Sequence, residues 1–195
     1  MSSRPSISST KQNASRLLPI WPLSPVPVPA VHVQYALSRR GIPSPVSFRH
    51  WGAAALHGAR HRKPAELSIR IVDAREGRVL NRQYRGKDYA TNVLSFPVEL
   101  PHGVASPLLG DLVICASVVA REAREQSKSP RDHYAHLTVH GVLHLLGFDH
   151  QNERDATRME TLETRILAEL GIADPYKVPL QGRSNAFANH RFARC

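Results

Sequence analysis

Cysteine is scarce in this chain. Only Cys115 and Cys195 occur in 195 residues, too few and too far apart for a disulfide framework. Cys115 stands in an apolar run and reads as a small buried hydrophobe. With no recognisable export signal, the thiols fit a reducing cytoplasm. Uninterrupted apolar stretches are also missing. The segment "LLPIWPLSPVPVPA" is apolar but broken by prolines. It lacks the run of ~7–15 apolar residues that a signal peptide needs, and nothing later approaches the ~20 residues of a membrane span. No internal repeat is present. Acidic residues are absent from both ends: residues 1–30 carry Arg4, Lys11 and Arg16 with no acid, and residues 179–195 carry Arg183, Arg191 and Arg194 with none.

The formal charge is +10 and the apolar fraction 42%. The apolar content suffices for one core. The charge suits a polyanion such as RNA, and equally a soluble domain with basic tails. The chain divides into a Ser/Pro-rich extension expected to be disordered (1–30), a folded domain (31–178) and a basic tail (179–195).

Within the domain, "VHVQYAL" (31–37) alternates weakly as a strand. Residues 44–60 read as a helix with Trp51, Ala55 and Leu56 on one face. "AELSIRIVD" (65–73) alternates Leu67, Ile69 and Ile71 against polar partners, as a half-buried strand does. Residues 74–86 place Val79, Leu80 and Tyr84 at helical spacing, with Gly86 as cap. "TNVLSFPVEL" (91–100) is a strand that Pro97 confines to an edge or an end. The apolar run 107–119 enters a helix at 117–128. Ser129, Pro130 and Asp132 open the next helix, which Gly147 stops. The last helix, 152–171, is capped by Asn152 and buries Met159, Leu162, Ile166 and Leu170. The pattern is α+β, with few strands and several helices.

The chemistry concentrates in "HGVLHLLGFDH" (140–150). His140 and His144 are one helical turn apart and project from one face. Gly147 permits the sharp turn that brings His150 back. The spacing H-x3-H-x2-G-x2-H is that of the metzincin zinc proteases. Three imidazoles leave a fourth position open, as at a catalytic zinc site. The proteases, however, carry a glutamate after the first histidine as general base, and here that position is Gly141. His136, one turn earlier, is either a ligand or a partner behind the ligands. Asp149 either orients an imidazole or caps the turn.

The stretch 140–150 closely resembles the signature of the YbeY family, metal-dependent endoribonucleases implicated in ribosomal RNA maturation. Residues 80–99, 108–115 and 159–176 resemble further family blocks in the same order. The resemblance implies a mixed sheet of about four strands surrounded by about five helices, with a metzincin-like three-histidine metal site. It implies His140, His144 and His150 as ligands of one Zn2+ or another divalent ion, and Arg85 as a functionally essential arginine. It also implies single-strand-specific cleavage in late-stage ribosomal RNA processing, at the 3′ end of the small-subunit RNA, and in ribosome quality control. Single-stranded ribosomal RNA and the small subunit or its assembly factors would be partners, with no membrane involved. Lys87, Asn92 and Ser95 are candidates for substrate contact. For Asn92 and Ser95, hydrogen bonding around a strand end serves equally well. Two other readings stand beside this one: a ribosome-assembly factor with a structural metal, and a peptidase-like zinc hydrolase.

Overall fold

The computed structural model describes residues 27–101, 103–149 and 152–177. His150, most of the N-terminal extension and the basic tail lie outside them. The elements run β1 (Ala30–Tyr35), α1 (Pro45–Gly58), β2 (Glu66–Val72), α2 (Ala74–Arg85), β3 (Val93–Pro97), β4 (Leu108–Cys115), α3 (Ala116–Glu125), α4 (Pro130–Leu145) and α5 (Glu153–Glu169). This is the mixed four-stranded sheet with five helices that the resemblance implies.

The sheet order is β1-β2-β4-β3. β1, β2 and β4 are parallel and β3 is antiparallel to β4. Pro97 ends β3 on the sheet edge, where its missing N–H costs no ladder bond. The inner strands are covered on both faces, so β4 reads as an almost continuous apolar run. Leu112 and Ile114 join Leu67, Ile69 and Ile71 in the main core beneath α1 and α4, while Val113 and Cys115 face the other way into a small cluster with Val72, Leu94 and Val118.

Three helices carry a side-chain cap, whereas Ser129, at the start of α4, makes no side-chain cap hydrogen bond. Ser44, Asp73 and Asn152 each accept a backbone N–H three residues on, which satisfies one of the orphan donors of the first turn. The helical spacing of Val79, Leu80 and Tyr84 is that of α2, but Val79 and Tyr84 are exposed, and the helix buries Gly77 and Asn81. A Cβ at position 77 would stand 3.3 Å from the Cys115 sulfur. The helix therefore packs through its smallest residue, and spacing alone does not show that.

α4 sits at the centre of the molecule. Every residue from His133 to Leu145 is buried. A helix covered on all sides is an interior helix, and its histidines are therefore withdrawn from water. No helix among the described residues is long and apolar enough to cross a membrane.

Candidate metal centre

His140 and His144 are brought together as their spacing requires. Their Nε2 atoms are 3.1 Å apart. Two donors ~2.0–2.1 Å from one tetrahedral ion lie roughly 3.3 Å apart, so the pair fits a shared cation. The helix ends one turn later. Gly147 has φ +86°, a conformation glycine adopts without a side-chain clash, and its N–H closes on the His144 carbonyl at 2.9 Å. The chain thereby turns out of the helix towards Asp149, which is half-buried.

Behind the histidines stands a residue that the motif does not contain. Glu163, on α5, is fully buried. Its carboxylate lies 3.4 Å from His140 Nδ1 and 2.9 Å from His136 Nε2, and it accepts the Tyr176 hydroxyl at 2.5 Å. Burial, the strongest single influence, pushes the carboxyl upward. The charges of His136 and His140, and their hydrogen bonds, outweigh it and hold Glu163 well below the usual carboxylate range. Burial and the adjacent Glu163 carboxylate raise Tyr176 far above the ordinary phenol range, so it stays a hydrogen-bond donor. A carboxylate in this position favours a proton on the imidazole nitrogen that faces it.

His136, His140 and Glu163 also form a group whose ligand atoms all lie within 4.8 Å of one another and can hold an ion. His140 thus has a metal-competent environment at each ring nitrogen. His136 belongs to the Glu163 side.

A second buried polar chain runs alongside. His133 Nε2 lies 2.8 Å from Glu122, and Asn92 donates to the same carboxylate oxygen at 3.0 Å. The Asn92 side-chain oxygen also accepts the Val93 N–H at 2.7 Å. Both ends of this amide are occupied inside the protein. Ser95 is buried on the face of β3 that it shares with Val93. Lys87 is exposed just after the α2 cap, and Arg85, half-buried at the end of α2, makes no hydrogen bond or ion pair with another described residue. Its neighbour Tyr84 packs edge-on against Phe96 at 4.9 Å between ring centres.

Gly141 has a packing reason. A Cβ there would approach Leu112 Cδ2 to 2.7 Å and Cδ1 to 3.0 Å. α4 lies directly on β4 at this point, and a glutamate here would have to displace the Leu112 side chain.

Glu163 left one trace in the sequence. It interrupts the apolar stripe of α5, between Met159 and Ile166. A charge at a core position is almost never unpaired, and that anomaly marks it.

The model of the family described as endoribonuclease YbeY matches residues 46–171. The endoribonuclease YbeY of Stenotrophomonas maltophilia strain R551-3 is 66% identical over 150 residues, covering 75% of this chain and 92% of that protein. The endoribonuclease YbeY of Xanthomonas campestris pathovar campestris strain B100 is 65% identical over the same shares. With the family model spanning β2 to α5, and with relatives this similar along nearly their whole length, the chain belongs to the YbeY endoribonuclease family.

Proposed function

We propose that the chain is a metal-dependent endoribonuclease whose His140 and His144, completed by His150, hold one divalent cation, Zn2+ in the simplest case. The observation that carries this is the 3.1 Å approach of two buried imidazole nitrogens, with a buried carboxylate 3.4 Å from the other nitrogen of one of the rings. Three imidazoles suit zinc and also admit nickel, copper or iron.

A bound cation supplies Lewis-acid stabilisation of a phosphoryl oxygen and lowers the pKa of water. The chain's own residues do the rest. Glu163 fixes the tautomer and tilt of His140, and Tyr176 fixes Glu163. Arg85, without a hydrogen bond or ion pair to another described residue, clamps a substrate phosphate through its paired N–H groups and stabilises charge as it develops. Lys87, two residues on and exposed, adds attraction for the RNA backbone.

The substrate in this reading is single-stranded RNA, in late-stage ribosomal RNA processing at the 3′ end of the small-subunit RNA and in ribosome quality control. The enzyme acts in the cytoplasm with the small subunit or its assembly factors. The blocks 80–99, 108–115, 140–150 and 159–176 support this assignment.

A second reading has one observation behind it. The His136–His140–Glu163 group is enclosed, as a structural site would be, and a metal there would hold α4 to α5 in a non-catalytic assembly factor. A peptidase is the weaker alternative, because position 141 is pressed against Leu112 and cannot carry the missing base.

Cleavage of a short single-stranded RNA by metal-loaded protein decides among them, with His144→Ala and Arg85→Ala run at matched stability. Cutting by the wild type, none by His144→Ala, and a loss of about 100-fold in Arg85→Ala with metal content intact are the expected results. Equal trace activity in all three would reject the nuclease. Unfolding of His144→Ala without cleavage by the wild type would favour the structural metal.

A further inference from the structure

Beyond the histidine site, the strongest chemical pattern on the surface is on α2. Arg75, Arg78, Arg82 and Arg85 follow one another at spacings of three, four and three. At 3.6 residues per turn these positions fall within about 80° of arc and extend about 15 Å along the axis. The first three are exposed and the fourth is half-buried. The helix's only carboxylate, Glu76, lies off this line and is held by Arg70 at 2.7 Å. Asp88 reaches back from the following loop to Arg78 at 2.6 Å, an exposed pair that solvent screens.

Such a stripe costs the helix stability. Arg75 and Arg78, Arg78 and Arg82, and Arg82 and Arg85 are each like-charge neighbours on one face. Arg82 and Arg85 favour the helix C-terminus and Arg78 holds Asp88, but neither contact needs four arginines in one line, whereas a linear polyanion uses the whole row. The loop after α2 adds a second element. Asn81 holds it by donating to the Tyr89 carbonyl at 2.7 Å, and the Tyr89 ring is 56% exposed. An exposed aromatic in the loop that follows a row of guanidiniums suits a single strand, whose bases stack while its phosphates are neutralised.

We infer that the exposed face of α2 is a track for the backbone of single-stranded RNA, with Arg75, Arg78 and Arg82 binding successive phosphates on the approach to Arg85. The inference rests on the nuclease reading for Arg85, and it concerns three residues which that reading does not use. The spacing fits a strand laid along the helix axis. The Arg78–Asp88 pair opens when a phosphate replaces the carboxylate.

The test is fluorescence anisotropy of a labelled single-stranded 2′-O-methyl RNA oligonucleotide, titrated with metal-loaded full-length protein across a KCl series. Oligonucleotide integrity is checked on a gel. The variant Arg75→Gln/Arg78→Gln/Arg82→Gln should flatten the plot of log K against log salt by about 2, at about 0.7 for each phosphate no longer neutralised. The exposed triple Arg40→Gln/Arg62→Gln/Lys63→Gln, which removes the same charge elsewhere, should leave the slope close to that of the wild type. Arg75→Lys/Arg78→Lys/Arg82→Lys should retain the wild-type slope. Equal flattening by both glutamine triples would overturn the track in favour of net charge alone. An unchanged slope in the α2 triple, or a flattened slope in the lysine triple as well, would also overturn it. Weakened binding to phosphatidylserine vesicles with RNA binding intact would assign the stripe to a membrane surface instead. Cleavage by the wild type is scored in parallel. No cleavage together with the expected slopes would reject the nuclease and keep the track.

Discussion

The Nδ1 atom of His140 lies 3.4 Å from the Glu163 carboxylate, across twenty-three positions of sequence and two helices. A carboxylate there favours the tautomer protonated on Nδ1, and that tautomer would present Nε2 as the ligating atom. Substituting Glu163→Gln keeps the shape and removes the charge. The expected result is a metal affinity lower by about 10–100-fold, read by competition with a chromogenic chelator, and a lower melting temperature of the metal-free protein. An affinity equal to that of the wild type would reduce Glu163 to a structural role.

Tyr176 is the third donor to that carboxylate. Tyr176→Phe removes a charge-assisted hydrogen bond and should cost about 1–3 kcal/mol of folding stability, measured by urea denaturation. Because His136 and His140 remain, metal affinity should fall less than in Glu163→Gln. The reverse order would mean that Tyr176, not Glu163, governs the orientation of His140.

Position 141 tests why this site lacks the peptidase base. Gly141→Ala pushes a methyl group into Leu112 and should destabilise by about 1–3 kcal/mol. Gly141→Glu should fail to fold stably, because it also buries a carboxylate against β4. A well-folded Gly141→Glu protein would show that the contact between α4 and β4 can open, and a peptidase assay would then be informative.

Asn92 separates substrate contact from internal support. Both ends of its side chain are occupied, by Glu122 and by the Val93 N–H. Asn92→Ala should therefore cost about 1–3 kcal/mol in stability and leave RNA affinity unchanged at a temperature where the variant is folded. Weaker RNA binding with unaltered stability would return Asn92 to the substrate site.

The termini carry six of the excess positive charges, Arg4, Lys11, Arg16, Arg183, Arg191 and Arg194. Deleting 1–30 and 179–195 should flatten the salt dependence of RNA binding without changing which phosphodiester is cut. An identical slope would show that the tails do not touch the RNA.

Much of the architecture was legible along the chain, because it is set by neighbours in sequence. Leu67, Ile69 and Ile71 alternate because side chains of a strand do, and all three are buried. Asp73, Asn152 and Gly147 act on backbone groups within three residues of themselves. His140 and His144 share a face because a helix turns every 3.6 residues. The pairing of those two nitrogens is thus a property of the sequence itself, given that the segment is helical.

What lay beyond the sequence is whatever depends on which surfaces meet. Glu163 and Tyr176 come to His140 only because α5 and the segment after it pack on α4. Asn92 and His133 meet at Glu122 from thirty and eleven residues away in the chain. The spacing of Val79, Leu80 and Tyr84 marks a helix but not the side that packs: α2 is drawn in through Gly77 against Cys115, and Val79 is left in solvent. Gly141 read only as a missing base until Leu112 was found beneath it. Periodicity records a residue's face on its own element. Burial, tautomer and the choice of partner are decided by a second surface, and only the tertiary structure supplies it.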